Sequence, residues 1–286
     1  MEPDPSAMAV ETFKALAALA QQESGLQLLP EKRVMVQSRL RPRLRALQIT
    51  DFADYVKHVR SETGQPELRH MISALTTNVT QFFRETHHFD LLAEQMVPIF
   101  RQKAQRGERI RIWSAGCSNG QEPYSIAMQL LHAVPEIADA DFRILATDID
   151  PRVIAFAKRG EYEPREAAAV PQHLSDRFLQ TDPETGRIKT LPAVQHLVRF
   201  RELNLMQPWP MTGLFDVIFC RNVVIYFNAE TQDSLWPRFT RALHADGVLC
   251  LGHSERIADP EAFGLKSIGT TSYAHITSRL PRGAQH

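Results

Sequence analysis

The chain lacks the features that would carry it out of a cell or into a bilayer. Only three of its 286 residues are cysteine: Cys117, Cys220 and Cys250, an odd number with no Cys-x-x-Cys spacing. This argues against a disulfide framework and a cysteine-based metal site, and it suits reduced thiols in a reducing cytosol. No apolar run approaches the ~20 residues that a membrane span needs. The opening MEPDPSAM has acids and prolines where a leader would have a basic segment running into an apolar one, so no signal peptide is expected. Net charge is missing too. The 33 Lys and Arg balance the 33 Asp and Glu, which leaves no global attraction for a polyanion.

What is present fits a folded protein. Hydrophobic residues make up 43% and charged residues 23%, enough to build a sizeable core from one large domain or a domain with an appendage. The first ~80 residues read as short helices by apolar spacing. Phe13, Leu16, Ala17 and Ala20 repeat at helical intervals before a break at Gly25. Val36, Leu40, Leu44 and Leu47 form a second stripe, within which Pro42 predicts a kink or a restart. Asp51 is placed to cap a third helix, and Leu68 to Thr76 reads as a fourth.

From Arg109 the texture changes. RIRIWSAG, FRILATDID, FDVIFCRN and GVLCLGH are short runs rich in β-branched and aromatic residues, and amphipathic stretches separate them. Such alternation predicts an α/β fold whose mainly parallel sheet is covered on both faces. LKSIG and SYAHITS, separated by Thr-Thr, predict an antiparallel pair at the sheet edge. The Asp-Pro and Thr-Gly turns in TDPETGRIKTLPAVQHLVRF predict a small hairpin excursion.

The first strand runs into AGCSNGQEPYS, where Gly116 and Gly120 bracket a loop at a carboxyl end, the place where open α/β sheets bind ligands. The next strand ends in Asp148, positioned to accept both ribose hydroxyls of a nucleoside, whereas Asp150 before Pro151 reads as a helix cap. Loop and acid together point to nucleoside binding. The loop lacks G-x-G-x-x-G, which counts against a dinucleotide but does not by itself choose a methyltransferase.

The strings TTNVTQFFRE (Thr76 to Glu85), IWSAGCSNGQEPYSIA, ATDID, FDVIFCRNVVIYF and LGHSE make that choice by resemblance. In this order, over about residues 12 to 277, they resemble the chemotaxis receptor glutamate methyltransferases, the CheR family. The resemblance implies a Rossmann-like domain dependent on S-adenosylmethionine (SAM), with S-adenosylhomocysteine (SAH) as product and no metal. It divides the chain into an α-helical, receptor-docking domain over 1–82 and a methyltransferase domain over 83–286, with a β subdomain at about 178–200. It assigns Asn78, Thr80, Arg84, Gly116, Glu122, Asp148, Asn204, Leu205, Arg221 and Asn222 to the cofactor, and Arg84 and Tyr226 to catalysis. Asn119 and Gln121 stand where relatives often have Thr and Glu, and Gln121 removes a charge beside the cofactor. The implied partner is the cytoplasmic region of methyl-accepting chemotaxis receptors. The short DPETG loop favours an enzyme that does not need a receptor C-terminal peptide. The rival readings are an adaptor that binds SAM without transferring methyl, and a methyltransferase for another protein carboxylate or a small carboxylic acid.

Between Glu31 and Arg60, eight basic residues outnumber three acidic ones, and Arg39, Arg41, Arg43 and Arg45 flank the apolar stripe. Alone this reads as a solvated face whose arginine stems cover the core. With the family it reads as a basic face for an acidic receptor bundle; nucleic acid fits least. His253-Ser254-Glu255 has the residue types of a triad, but sequence neighbours rarely converge on one point. Cys117 and the His87-His88 pair read as packing residues.

Overall fold

The computed structural model describes residues 8–281. Most of the N-terminal segment read for a leader, Met1 to Ala7, therefore lies outside the described residues. Among these residues no helix is long and apolar enough to cross a membrane. The chain gathers into two compact units. One comprises the described part of Met1–Thr77 with Asn204–Pro208 and Tyr226–Thr231, and the other holds the rest.

The first unit contains four helices: α1 (Val10–Ser24), α2 (Arg33–Ala46), α3 (Phe52–Arg60) and α4 (Gln65–Leu75). Local chemistry sets their ends. Asp51 caps α3 by accepting the Ala53 N–H at 2.5 Å, and Gly25 ends α1 at φ 73°. Glycine is required at that position, since an added Cβ would meet the Met206 sulfur at 2.8 Å. Helix α2 does not restart at Pro42. Pro42 and Ser38, whose carbonyl the ring would crowd, both lie on the exposed face, where water can satisfy the freed carbonyl. Phe13, Leu16, Val36, Leu40, Tyr55 and Met71 are buried within this unit.

The second unit is built on a seven-stranded sheet. Its chain runs through α5 (His87–Leu91), α6 (Val97–Gln105), β1 (Ile110–Ala115), α7 (Gln121–Ala133), β2 (Phe142–Asp148) and α8 (Pro151–Arg159). An excursion follows: β3 (Glu161–Tyr162), α9 (Pro164–Ala167), α10 (Gln172–Phe178), β4 (Leu179–Thr181), β5 (Ile188–Thr190) and α11 (Pro192–Gln195). The sheet resumes with β6 (Val198–Glu202) and β7 (Phe215–Cys220), then α12 (Ala229–Ala242), β8 (Leu243–Leu251), β9 (Leu265–Gly269) and β10 (Ser272–His275). The strand order is β6-β2-β1-β7-β8-β10-β9. β1 pairs in parallel with β2 and β7, β2 with β6, and β7 with β8, while β10 runs antiparallel between β8 and β9. Order reverses between β1 and β7, the switch point where such sheets bind ligands.

The hairpin expected within 178–200 is narrower. β4 and β5 form it and β3 joins β5 to make a three-stranded sheet, but Val198–Glu202 pairs with β2 as an edge strand of the main sheet. With one face buried, its pattern alternates like a hairpin strand's, which is why its sequence misleads. The central strands are largely apolar because both faces are covered; all six residues of β7 are buried, including Asp216, which pairs with Lys103.

Candidate functional site

The loop after β1 folds tightly against the switch point. Gly116 and Gly120 take φ 85° and 89°, and Ser118 joins them at φ 49°. An added Cβ on Gly116 would stand 2.3 Å from a Val223 methyl. The Ser118 amide donates to Asp148 Oδ2 at 2.8 Å, and the Asp150 amide to Asp148 Oδ1 at 3.0 Å. Asp148 thus stands at the β2 tip with acceptor capacity left on both oxygens. Burial outweighs these amides and pushes its carboxyl up to about 6. Asp150 caps α8, as its position before Pro151 predicts, and also accepts from the Asn78 amide at 3.1 Å. The Ser118 hydroxyl donates to the Asn78 carbonyl at 2.8 Å, so the segment entering this unit is tied to the loop.

A buried cation lies nearby. Arg221, past β7, has a side chain only 2% exposed and reaches Glu122 and Glu85, each at 3.2 Å, as well as the Arg84 carbonyl. Glu122 also accepts from the Ser114 hydroxyl at 2.7 Å. Burial raises the Glu122 carboxyl above its ordinary value, against the pull of Arg221.

Glu85 gathers four basic side chains, one of them the buried His88, whose Nδ1 stands at 3.7 Å. Arg84 Nε stands at 3.7 Å, Arg221 Nη2 at 3.2 Å and His253 Nδ1 at 3.0 Å from its carboxylate. Burial would raise Glu85, but Arg221 and the His253 hydrogen bond hold it down at about 2. Its backbone takes φ 57° and that of Phe83 takes 51°, a left-handed geometry uncommon for such residues. Arg84 donates to the Val79 carbonyl at 3.2 Å, and its Nη2 meets no hydrogen-bond partner among the described residues.

The structure brings Asn78, Arg84, Gly116, Glu122, Asp148, Arg221 and Asn222 to the segments that follow β1, β2 and β7 or tie to them. Thr80 lies in the same N-terminal segment, between Val79 and Phe82. Asn204, Leu205 and Tyr226 fall in the helical unit. There the Asn204 amide donates to the Glu23 carbonyl at 2.6 Å, and the Tyr226 carbonyl accepts from Gln27 at 2.8 Å.

The helical unit also sorts the arginines of α2. Arg43 is committed to buried Glu67 at 2.6 Å, and Glu67 accepts from the Tyr55 hydroxyl at 2.8 Å. Arg39 closes the end of α4, donating to the Leu75 and Thr76 carbonyls at 2.8 and 3.0 Å. Arg41 is half-buried and Arg45 exposed.

Sequence reasoning missed Glu85 and Glu255. Both lie inside the recognised strings, but their partners are set by long-range folding. Glu255 accepts from the Gly252, Asn222, Val223 and Ile225 amides at 2.6 to 3.1 Å and so braces the β7 and β8 ends. His253, Ser254 and Glu255 form no triad, since His253 turns to Glu85 and Glu255 to backbone. Cys117 is buried and its thiol is raised well above the usual value, which makes it a packing residue. Among the described residues, Glu85, His87 and His88 bring three ligand-type atoms within 4.8 Å of one another. The Glu85 carboxylate in that trio already faces Arg221.

A doubly wound sheet with a glycine loop after β1, an acid at the β2 tip and an antiparallel strand inserted beside β8 is the framework of the SAM-dependent methyltransferases, and the chain is one of them. The family models described as CheR methyltransferase, all-alpha domain, and CheR methyltransferase, SAM binding domain, match residues 11–76 and 78–273. The chain belongs to the CheR methyltransferase family. It is 44% identical to a probable chemotaxis protein methyltransferase of Rhizobium etli, over 92% of this chain and 98% of that protein. It is 39% identical to chemotaxis protein methyltransferase 2 of Pseudomonas aeruginosa, covering 92% of each. It is 40% identical to the chemotaxis protein methyltransferase of Escherichia coli, over 92% of this chain and 90% of that protein.

Proposed function

We propose that this methyltransferase esterifies glutamate side chains in the cytoplasmic region of methyl-accepting chemotaxis receptors and that it acts in the cytoplasm. The observation that carries this reading is the cationic group above the strand ends: Arg84 with a free Nη2, beside a Glu85 carboxylate that also holds Arg221. When bound, SAM supplies an electrophilic methyl on a sulfonium. A glutamate carboxylate, with an ordinary pKa of ~4.3, is already ionised at neutral pH and needs no base. The chain's task is therefore orientation, which can supply ~7–11 kcal/mol.

In this reading Asp148 accepts the ribose hydroxyls. Asn78, Thr80, Gly116, Glu122, Arg221 and Asn222 line the cofactor, with Asn204 and Leu205 beside the adenine. Arg84 orients the incoming carboxylate and Tyr226 positions the methyl donor. The chemistry of the donors fits a nucleoside-linked cation: the Asp148 carboxylate at the β2 tip, with spare acceptor capacity, and the Glu122 carboxylate in the first turn of α7. Arg45, the exposed member of the α2 set, would meet an acidic receptor surface with help from Arg41, while Arg39 and Arg43 present the helix that carries them. The division at 82/83 and the assignment of the small β sheet as a separate subdomain belong to the same proposal. So does independence from a receptor C-terminal peptide, which the self-contained turn supports: Asp182 accepts the Glu184 and Thr185 amides at 3.0 and 3.1 Å.

Steady-state kinetics and SAH calorimetry test the assignment. Arg84→Ala should lower kcat at least tenfold while the protein stays folded, and Tyr226→Phe should impair turnover. Near-normal turnover and SAH affinity in both variants would refute these roles. Adding a receptor C-terminal peptide should leave KM unchanged.

A further inference from the structure

Beside the Glu85 cluster a cleft of about 300 Å³ opens in the second unit, between the end of β8 and the turn after β7. Val224, Ile225, His253, Ser254, Glu255 and Arg256 line it. Ile225 is 45% exposed and gives the cleft an uncovered apolar surface. Arg256 is exposed and makes no ion pair or hydrogen bond among the described residues. The His253 side chain is 63% exposed, and its Nε2 is free once Nδ1 has met Glu85. The Ser254 hydroxyl is likewise uncommitted. The cleft's own acid is turned to backbone: both Glu255 oxygens accept from four amides, whose dipoles offset part of its charge and leave Arg256 and His253 to face an incoming anion.

A short apolar wall leading to a guanidinium, an imidazole and a hydroxyl matches one kind of side chain: methylenes ending in a carboxylate. We infer that this cleft is a specificity subsite for a second glutamate on the receptor segment, one that is not being methylated. The inference rests on the receptor reading above. His253 touches both the cleft and Glu85, and Glu85 contacts Arg84, so the subsite adjoins the group proposed to orient the reacting carboxylate. A second carboxylate held here would set the register of the receptor segment without joining the chemistry. The predicted signature is therefore in KM and not in kcat.

The test is methyl transfer to receptor-containing membranes by wild type, Arg256→Ala and Arg256→Glu, with circular dichroism and SAH calorimetry as controls. Loss of a charge-assisted contact should raise KM about tenfold for Arg256→Ala, and charge reversal should raise it further. Values of kcat and SAH affinity should stay within about twofold. Receptor in which the non-methylated glutamates are glutamine should show a raised KM with wild type and no further response to Arg256→Glu. An unchanged KM in Arg256→Glu overturns the inference, as does a response that survives in the glutamine receptor or a fall in kcat alone. If the wild type methylates no receptor, the receptor reading itself fails, and the subsite with it.

Discussion

At the residue scale, Asp148 and Glu85 show how environment assigns different work to similar carboxyls. Asp148 is buried, with backbone amides for partners and the Asp150 carboxylate nearby, and its carboxyl is pushed up to about 6; Glu85, also shielded, is held down at about 2 by Arg221 and His253. A ribose donates hydroxyl protons, so it binds the ionised form of Asp148. SAH affinity should be full well above pH 6 and fall as pH drops through 6, by about tenfold per unit below it. The stability sign is opposite. A raised carboxyl disfavours its charged form, so the penalty from Asp148 is present above 6 and relieved as pH falls towards the ordinary carboxylate range. Calorimetry across pH 5 to 8 checks the first trend, and Asp148→Asn should weaken SAH about 10–100-fold and flatten it. Glu85→Gln should loosen Arg84 and Arg221 together and lower kcat at least tenfold, with Glu85→Asp recovering part of it. Asp148 was legible in the sequence because its place after the loop is local. Glu85 was not, because its partner Arg221 is 136 residues away along the chain and nothing nearby encodes the pairing.

At the element scale, caps and periodicity carried most of the fold. Asp51, Asp150 and Gly25 mark helix ends as their chemistry dictates. The four N-terminal helices and the central strands follow from apolar spacing. What escaped were elements whose identity depends on a neighbour. β6 is an edge strand only because β2 lies beside it, and two-residue β3 is a strand only because β5 accepts it. Pro42 within α2 is permitted by solvent on its face, which spacing does not reveal. Helix α2 also separates two roles that composition merges. Removing Arg43 leaves the Glu67 carboxylate, 4% exposed, without its cation, and should cost about 2–4 kcal/mol. Thermal or denaturant unfolding of Arg43→Ala measures this. Arg45→Glu should leave stability within about 0.5 kcal/mol and instead raise KM for receptor.

At the scale of the whole molecule, a chain with equal numbers of acids and bases cannot be steered by its overall charge, so any attraction to an acidic partner has to come from local faces. Receptor KM should therefore rise with ionic strength while SAH affinity, set by a largely buried site, changes little. The pairing of a helical unit with a SAM-binding unit was legible in five sequence blocks. The sorting of individual arginines into structural and available ones was not, because it depends on where each guanidinium finds a partner. The most direct test of the account is transfer of a radiolabelled methyl from SAM to membranes bearing chemotaxis receptors, followed by brief alkali. Label should appear on the receptor and be released as volatile methanol, as a glutamate methyl ester requires. Alkali-stable label, label on another acceptor, or SAM binding with no transfer would contradict it.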